Sequence, residues 1–201
     1  MNGHQRIVAA LKGEQPDKVP VMLHNFMTAA AELNISMGRF RESPTLIAES
    51  FIYSVEKYDL DGVLVDIDTV TLAGSVGVPV DLPENEPGRS AGGCLAAIED
   101  VRTLKPVNVE NYKYIQIWLE AVRRLKDYFG DEVFVRGNCD QLPFSLAGMM
   151  RGTGNWMTDL YVAEHSLLCE LLEYCTEATS QFIRLMIQTG ADMVSNGDSP
   201  A

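Results

Sequence analysis

The sequence predicts an α/β protein with a parallel β-sheet, and two observations lead to this fold class. Short apolar runs rich in β-branched residues alternate with longer segments whose apolar residues recur at helical spacing. Parallel strands need such helical crossovers, whereas short hairpins join only antiparallel strands. The alternation fits either an open doubly wound sheet or a (β/α)₈ barrel, and four strand–helix units amount to half of such a barrel.

The first part of the chain contains two of these units. A helix is expected over residues 4–12, and the run VPVMLHNF that follows it is the first strand candidate. Ser43 and Pro44 provide an N-cap and a proline in the first helical position, so a helix is expected to begin there and to end near Asp59. The run GVLVDI is short and largely apolar, as expected of a second strand covered on both faces.

The second part repeats the pattern after an interruption. Residues 69–105 are rich in glycine and proline and are expected to form a long excursion with small elements. An amphipathic helix over residues 111–129 ends at Gly130, and VFVRG is the third strand. The proline of QLPFSLAGMMRG can start a short helix, a long helix is expected over residues 163–189, and ADMVS is the fourth strand.

The composition narrows the classes of function. The chain has 28 acidic and 16 basic residues and a formal charge of −12, so it would repel nucleic acid on average. Its four cysteines form no CxxC pair, and its polar N-terminus lacks the apolar segment of a signal peptide, which indicates a reduced, cytoplasmic protein. No apolar run approaches the roughly 20 residues that a membrane span needs.

Polar residues follow each predicted strand, at the edge where parallel α/β folds bind ligands. They are His24, Asn25, Asp66, Asp68, Asn138, Cys139, Asp140, Gln141, Asn196, Asp198 and Ser199. Because these side chains converge on one edge, we predict a binding site there. The predicted substrate-binding residues are His24, Asn138, Asp140 and Asp198, and Asp68 is a predicted catalytic residue.

Several of these residues have a structural alternative. His24 could be a hydrogen-bonded histidine without a role in function. Asp66 and Asp68 point to the same side of a strand, so one is expected to face the site while the other caps a loop. Cys139 lacks a partner histidine nearby in sequence, which favours packing over a role as ligand or nucleophile.

Four segments of the chain resemble a known family when they are taken in order and at their spacing. They are RIVAALKGEQPDKVPVM, DGVLVDIDTVTLAGSVGVPV, PFSLAGMMRG and GADMVSNGDSPA, and together they resemble the uroporphyrinogen decarboxylase superfamily. The resemblance implies a (β/α)₈ barrel, of which residues 1–201 would be the N-terminal half of a single domain. The chain is then expected to be truncated before the remaining strands.

The superfamily includes decarboxylases of porphyrinogens, whose first strand leads into arginines that bind substrate carboxylates. The corresponding stretch here, LHNFMTAAAELN, contains no arginine. Asp68 is similar in position to the aspartate that meets the pyrrole N–H groups, and Ser199 is similar to a serine after the fourth strand. The resemblance therefore implies catalytic roles for Asp68 and Ser199, whereas Met149 stands where the decarboxylases have a tyrosine.

The methyltransferase branch of the superfamily fits better, since LAGSVGVPVD is similar to its second-strand loop. This branch implies methyl transfer between a corrinoid protein partner and a small thiol such as coenzyme M, or a related acceptor. Its zinc is held by a His-x-Cys pair and a later cysteine in the second half of the barrel. This segment alone is therefore expected to bind no metal or cofactor and to be inactive.

Two other functions stay open. One is decarboxylation of a porphyrinogen or another carboxylated substrate. The other is a non-catalytic half-barrel that pairs with a second copy of itself and works as a binding or assembly module, because an uncovered half-barrel leaves sheet edges and an apolar face exposed.

Overall fold

The structure is a computed structural model, and it describes residues 1–198. Helices and short strands alternate along these residues, and a parallel sheet of four strands forms the centre. None of the helices in residues 1–198 combines the length and the apolar character needed to cross a membrane.

The first part of the chain builds the outer half of the sheet and its covering helices. Its elements are α1 (Gly3–Leu11), β1 (Met22–Leu23), α2 (Phe26–Glu32), α3 (Met37–Glu42), α4 (Pro44–Tyr58) and β2 (Gly62–Val65). Helix α4 begins as predicted, with the Ser43 hydroxyl accepting from the N–H of Leu46 and a proline at its start. It ends at Tyr58, and the capping residue Asp59 adopts a left-handed conformation with φ of 49°.

The second part opens with the excursion and then returns to the sheet. Its elements are α5 (Thr71–Ser75), β3 (Val80–Asp81), β4 (Arg89–Ser90), a 3₁₀ helix (Ile98–Thr103), α6 (Lys113–Phe129), β5 (Phe134–Asn138), α7 (Pro143–Arg151), α8 (Thr153–Val162), α9 (His165–Ile187) and β6 (Met193–Ser195). Strands β3 and β4 form a small antiparallel pair inside residues 69–105, a region predicted to contain only small elements.

The central sheet is parallel, in the order β1-β2-β5-β6. Its register pairs Leu64 with Arg136 and Arg136 with Met193, so these three side chains share one face, which we call the open face. The other face carries Val65 and Val135, which are both fully buried in the hydrophobic core. The Trp118 indole of α6 closes over this core and donates to the carbonyl oxygen of Val65 at 3.3 Å.

The open face is much less covered than the core face. Met193 is 36% exposed, and Leu64 and Arg136 are partly exposed. Paired strands of a parallel sheet end at the same edge, so the residues that follow β1, β2, β5 and β6 gather at the carboxyl edge of the sheet, next to the open face. The fold therefore brings the predicted polar residues to one edge.

The structure contains three helices that the sequence analysis did not predict, namely α2, α3 and α8. The stretch expected to continue the first strand turns into α2 at Phe26, so β1 contains only two residues. Helix α3 has a side-chain cap from Ser36, but it is only six residues long. Helix α8 follows Gly152, whose φ of 80° lets the chain turn directly out of α7 without a longer loop.

Candidate active site

His24 and Asp66 form the closest pair at the carboxyl ends of the strands. They follow the neighbouring strands β1 and β2, and Nε2 of His24 lies 2.6 Å from Oδ2 of Asp66. The side chain of Asp66 is 2% exposed, whereas that of His24 is 54% exposed. The hydrogen bond to Asp66 raises the pKa of His24, and partial burial of the ring opposes this shift. The pair is thus a half-open imidazole anchored on a buried carboxylate.

A second group of polar side chains lies on and after β5. Arg136 and Asn138 both point to the open face, and Asp140 follows two residues later. Nε of Arg136 donates to Oγ of Ser195 at 2.7 Å, and this hydroxyl donates to Oδ1 of Asn138 at 3.3 Å. Burial raises the pKa of Asp140, a hydrogen bond from Asn138 opposes the shift, and the charge of Asp66 adds to it.

Asp68 caps the start of α5. Its Oδ1 accepts from the N–H groups of Val70 at 2.8 Å and Thr71 at 2.7 Å, and its Oδ2 accepts from the Thr71 hydroxyl at 3.0 Å. Burial raises the pKa of Asp68, while these hydrogen bonds and the charge of Arg41 oppose the rise. Both oxygens are therefore engaged by the protein, and a catalytic role for Asp68 stays a prediction.

Asp198 caps α7 in a similar way. Its carboxylate accepts from the N–H of Ser145 at 2.6 Å and from the N–H of Phe144 at 3.3 Å, and the Ser145 hydroxyl also donates to it. The residue predicted to bind substrate thus holds the start of a helix beside the site. Ser199, the other predicted catalytic residue, lies outside the described residues.

The groups able to hold a metal lie elsewhere. Cys139 is fully buried in the hydrophobic core, and burial raises the pKa of its thiol. Among residues 1–198, His4, Asp131 and Asp192 form the one cluster with metal-ligand spacing, at the opposite, amino end of the strands. Nζ of Lys126 lies 2.8 Å from Oδ1 of Asp192 there, and its positive charge would repel a cation.

Arg136 and Ser195 were not predicted as site residues. Arg136 carries a cation on the open face, and its hydroxyl partner Ser195 comes from the neighbouring strand. The available signal was the alternation of Arg136, Asn138 and Asp140, three polar side chains at every second position near the end of an apolar run. Ser195 carries no such signal, because its contact depends on the pairing of β5 with β6.

The parallel sheet with helical crossovers and a polar carboxyl edge is part of a (β/α)₈ barrel of the type found in enzymes. The fold is similar to that of a methyltransferase from Methanosarcina mazei, with a TM-score of 0.86 and 22% sequence identity. That similarity covers 98% of this chain and 59% of the methyltransferase chain. The barrel fold class predicted from the sequence is confirmed.

The family follows from the sequence as a whole. The family model for uroporphyrinogen decarboxylase (URO-D) matches residues 2–201, so the chain belongs to this family. The chain is 26% identical to the uroporphyrinogen decarboxylase of a Synechococcus species over 96% of this chain and 57% of the relative. It is 29% identical to that of Bordetella petrii over 79% of this chain and 44% of the relative. The matched part of the chain therefore covers about half the length of these relatives.

Proposed function

We propose that the whole protein containing this chain is an enzyme that transfers a methyl group between a corrinoid protein and a thiol or related small acceptor. Residues 1–198 would supply one side of its site, with the His24–Asp66 pair, Asn138 and Asp140 lining the open face. The fold similarity to a methyltransferase supports this choice within the family. The main observation in support of the proposal is the negative charge at the carboxyl ends of the strands.

Carboxylates dominate this edge of the sheet. Asp66, Asp68, Asp140 and Asp198 follow the strands, and Arg136 is the guanidinium on the open face of the described residues. A porphyrinogen with several carboxylates would be repelled by this arrangement, since like charges in a partly buried site interact strongly. A small thiol, neutral or with one anionic group, meets no such barrier.

The two buried arginines among the described residues are already engaged in hydrogen bonds. Arg41 donates to the carbonyl oxygens of Pro83 and Glu86, and it is 2% exposed. Arg151 donates to the carbonyl oxygens of Leu95 and Ala96. Since both guanidiniums hold the excursion in place, they act as structural groups. They would have to release backbone partners before binding a substrate carboxylate.

Under this proposal, the zinc ligands would come from the rest of the barrel. A zinc thiolate site needs histidine and cysteine side chains that converge on one point. Among residues 1–198, His24 reaches the open face, but Cys139 is buried in the core and no cysteine joins the histidine there. The described residues thus do not fit this group, and the role proposed for them is to bind, orient and exchange protons with substrate.

The proposal is tested with the whole protein. It is incubated with methylcobalamin and coenzyme M, and the methylated thiol is measured by mass spectrometry. We expect methylation that depends on the protein. Absence of methylated product with this donor, and with a methylated corrinoid protein in its place, would contradict the proposal.

Decarboxylation is the second candidate, because the curated relatives are named uroporphyrinogen decarboxylases and Asp68 is kept. Uroporphyrinogen III is supplied to the same preparation, and coproporphyrinogen is followed by fluorescence after oxidation. We expect none. Its formation, abolished by Asp68→Asn and kept in the exposed control Asp127→Asn, would establish the decarboxylase instead.

A further inference from the structure

We infer that His24 is the group that takes the proton from the thiol acceptor, and that Asp66 is the positioning residue that orients the His24 ring. This inference rests on the proposed methyl transfer to a thiol. It assigns the proton-accepting role to a different residue from Asp68 and Ser199, the catalytic residues implied by the family resemblance.

The geometry of the pair suits a proton acceptor. Oδ2 of Asp66 holds Nε2 of His24 at 2.6 Å, and Oδ1 of Asp66 is buried without a hydrogen-bond partner among the described residues. The carboxylate is therefore dedicated to the imidazole. The ring itself is half exposed on the open face, where a small substrate can reach it.

The hydrogen bond also selects the tautomer of the neutral ring. A carboxylate accepts hydrogen bonds, so Nε2 of His24 carries the proton that it donates to Asp66. Nδ1 then keeps its lone pair, and it makes no hydrogen bond within residues 1–198. Nδ1 is thus the free basic atom of the pair, while Nε2 is fixed.

The surrounding charges strengthen this base. The charged groups that face His24 are Asp66, Asp140 and Arg136. The two carboxylates stabilise the protonated ring and raise its pKa, whereas Arg136 has the opposite effect. A histidine with a raised pKa lies closer to the ordinary thiol value of about 8.5, which favours transfer of the proton from sulfur to nitrogen.

Asp68 is less suited to this role. Its two oxygens accept three hydrogen bonds from Val70 and Thr71, and the residue is 2% exposed. Proton transfer to such a group would cost the cap of α5. Within the described residues, His24 offers the more accessible basic atom.

The proposed step is balanced as follows. The S–H bond of the acceptor breaks, the proton moves to Nδ1 of His24, and the electron pair stays on sulfur. The sulfur then bonds to the methyl carbon of the donor, and the electron pair of the broken methyl bond remains with the corrinoid. His24 afterwards releases its proton to water.

The experiment compares the pH dependence of kcat/KM for the whole wild-type protein, His24→Gln and Asp66→Asn. We expect His24→Gln to lose roughly 100-fold in kcat/KM at pH 7, the lower range for general-base catalysis. Its remaining activity should rise with pH, because the thiol must then lose its proton to solvent instead of to His24. In Asp66→Asn, the acidic limb of the profile should move to lower pH, because the carboxylate no longer raises the pKa of His24.

His165→Gln is the matched control, since it alters an exposed histidine on α9. It should keep both the wild-type rate and the wild-type profile. NMR titration of the His24 ring adds a readout that needs no turnover, and its midpoint should fall in Asp66→Asn. Circular dichroism shows whether each variant is folded.

The outcomes separate this inference from the proposed function. An inactive wild-type protein contradicts the methyl transfer and the thiol role of His24 with it. An active wild type whose profile is unchanged in His24→Gln overturns this inference alone. An Asp66→Asn variant that is folded but keeps the wild-type acidic limb removes the positioning role of Asp66.

Discussion

The two ends of the parallel sheet treat their aspartates in opposite ways. At the amino end, Asp61 and Asp192 lie directly before β2 and β6. Each accepts one backbone N–H and a hydrogen bond from a cationic side chain: Val21 and Arg6 for Asp61, and Val135 and Lys126 for Asp192. Both carboxylates therefore join neighbouring segments while their charge is balanced.

At the carboxyl end, the charge of the aspartates is not balanced by cations in this way. Asp66 has one side-chain partner, His24, and an unpaired oxygen, and burial raises the pKa of both Asp68 and Asp140. In (β/α) barrels the amino end serves stability and the carboxyl end serves catalysis. The difference between the ends teaches that aspartates in one sheet can either stabilise the fold or hold unfavourable charge at the candidate site.

The largest effect is expected from Asp192→Ala at the amino end. This change leaves the N–H of Val135 without its acceptor at 2.8 Å and removes the closest carboxylate of Lys126, whose side chain is 16% exposed. Lys126 keeps its hydrogen bond to the carbonyl oxygen of Gly130 at 2.8 Å. We expect a loss of about 2–3 kcal/mol in the free energy of unfolding, since a backbone N–H loses its acceptor and a mostly buried ammonium loses its closest carboxylate. Urea unfolding followed by circular dichroism measures it.

Asp131→Ala is the matched control for this prediction. Asp131 faces the same Lys126 Nζ at 3.8 Å, but its side chain is 91% exposed. The change should cost less than about 0.5 kcal/mol, as is usual for exposed pairs. Equal losses in the two variants would show that Asp192 contributes no more to the amino end than an exposed aspartate does.

A smaller effect is expected from Asp198→Ala. This residue accepts from two backbone N–H groups at the start of α7, so its loss should cost about 1 kcal/mol in the free energy of unfolding. If Asp198 acts only as a cap, KM for the small-molecule substrate should change no more than in Ser43→Ala, which removes the cap of α4. A large rise in KM in Asp198→Ala alone would restore its predicted role in substrate binding.

Much of the fold could be predicted because its signals are local. The serine and proline before α4, the apolar stripe of α6 and the β-branched run of β2 each lie within a few residues of the element that they determine. Helix α2 could not be predicted, because Asn25 gives it no side-chain cap. The two-residue length of β1 is set by its pairing with β2, which is a tertiary contact.

The candidate site was predictable as an edge of the sheet but not as a set of contacts. Alternation along β2 predicts that Asp66 and Asp68 share a side, and one of them was expected to cap a loop. Which of the two does so depends on how the chain turns into α5, and the structure assigns this cap to Asp68. The contact of Asp66 with His24 spans 42 positions in the sequence and depends on strand register.

The smallest expected effect has the opposite sign and lies at the carboxyl end. Asp140→Asn should raise the free energy of unfolding at pH 7 by about 0.5 kcal/mol, because it removes a partly buried charge that Asp66 repels. The pKa of Asp140 is raised in the folded state, so as pH rises the unfolded chain releases this proton first and the wild type loses stability. The variant should not lose this stability, and the free energies of unfolding of the two proteins should approach each other towards pH 4, near the ordinary aspartate value of about 3.9.

Asp127→Asn, an exposed change on α6, should match the wild type at both pH values. If Asp140→Asn is destabilised at pH 7, as Asp192→Ala is expected to be, then the charge at the carboxyl end also stabilises the fold, and the contrast between the two ends disappears.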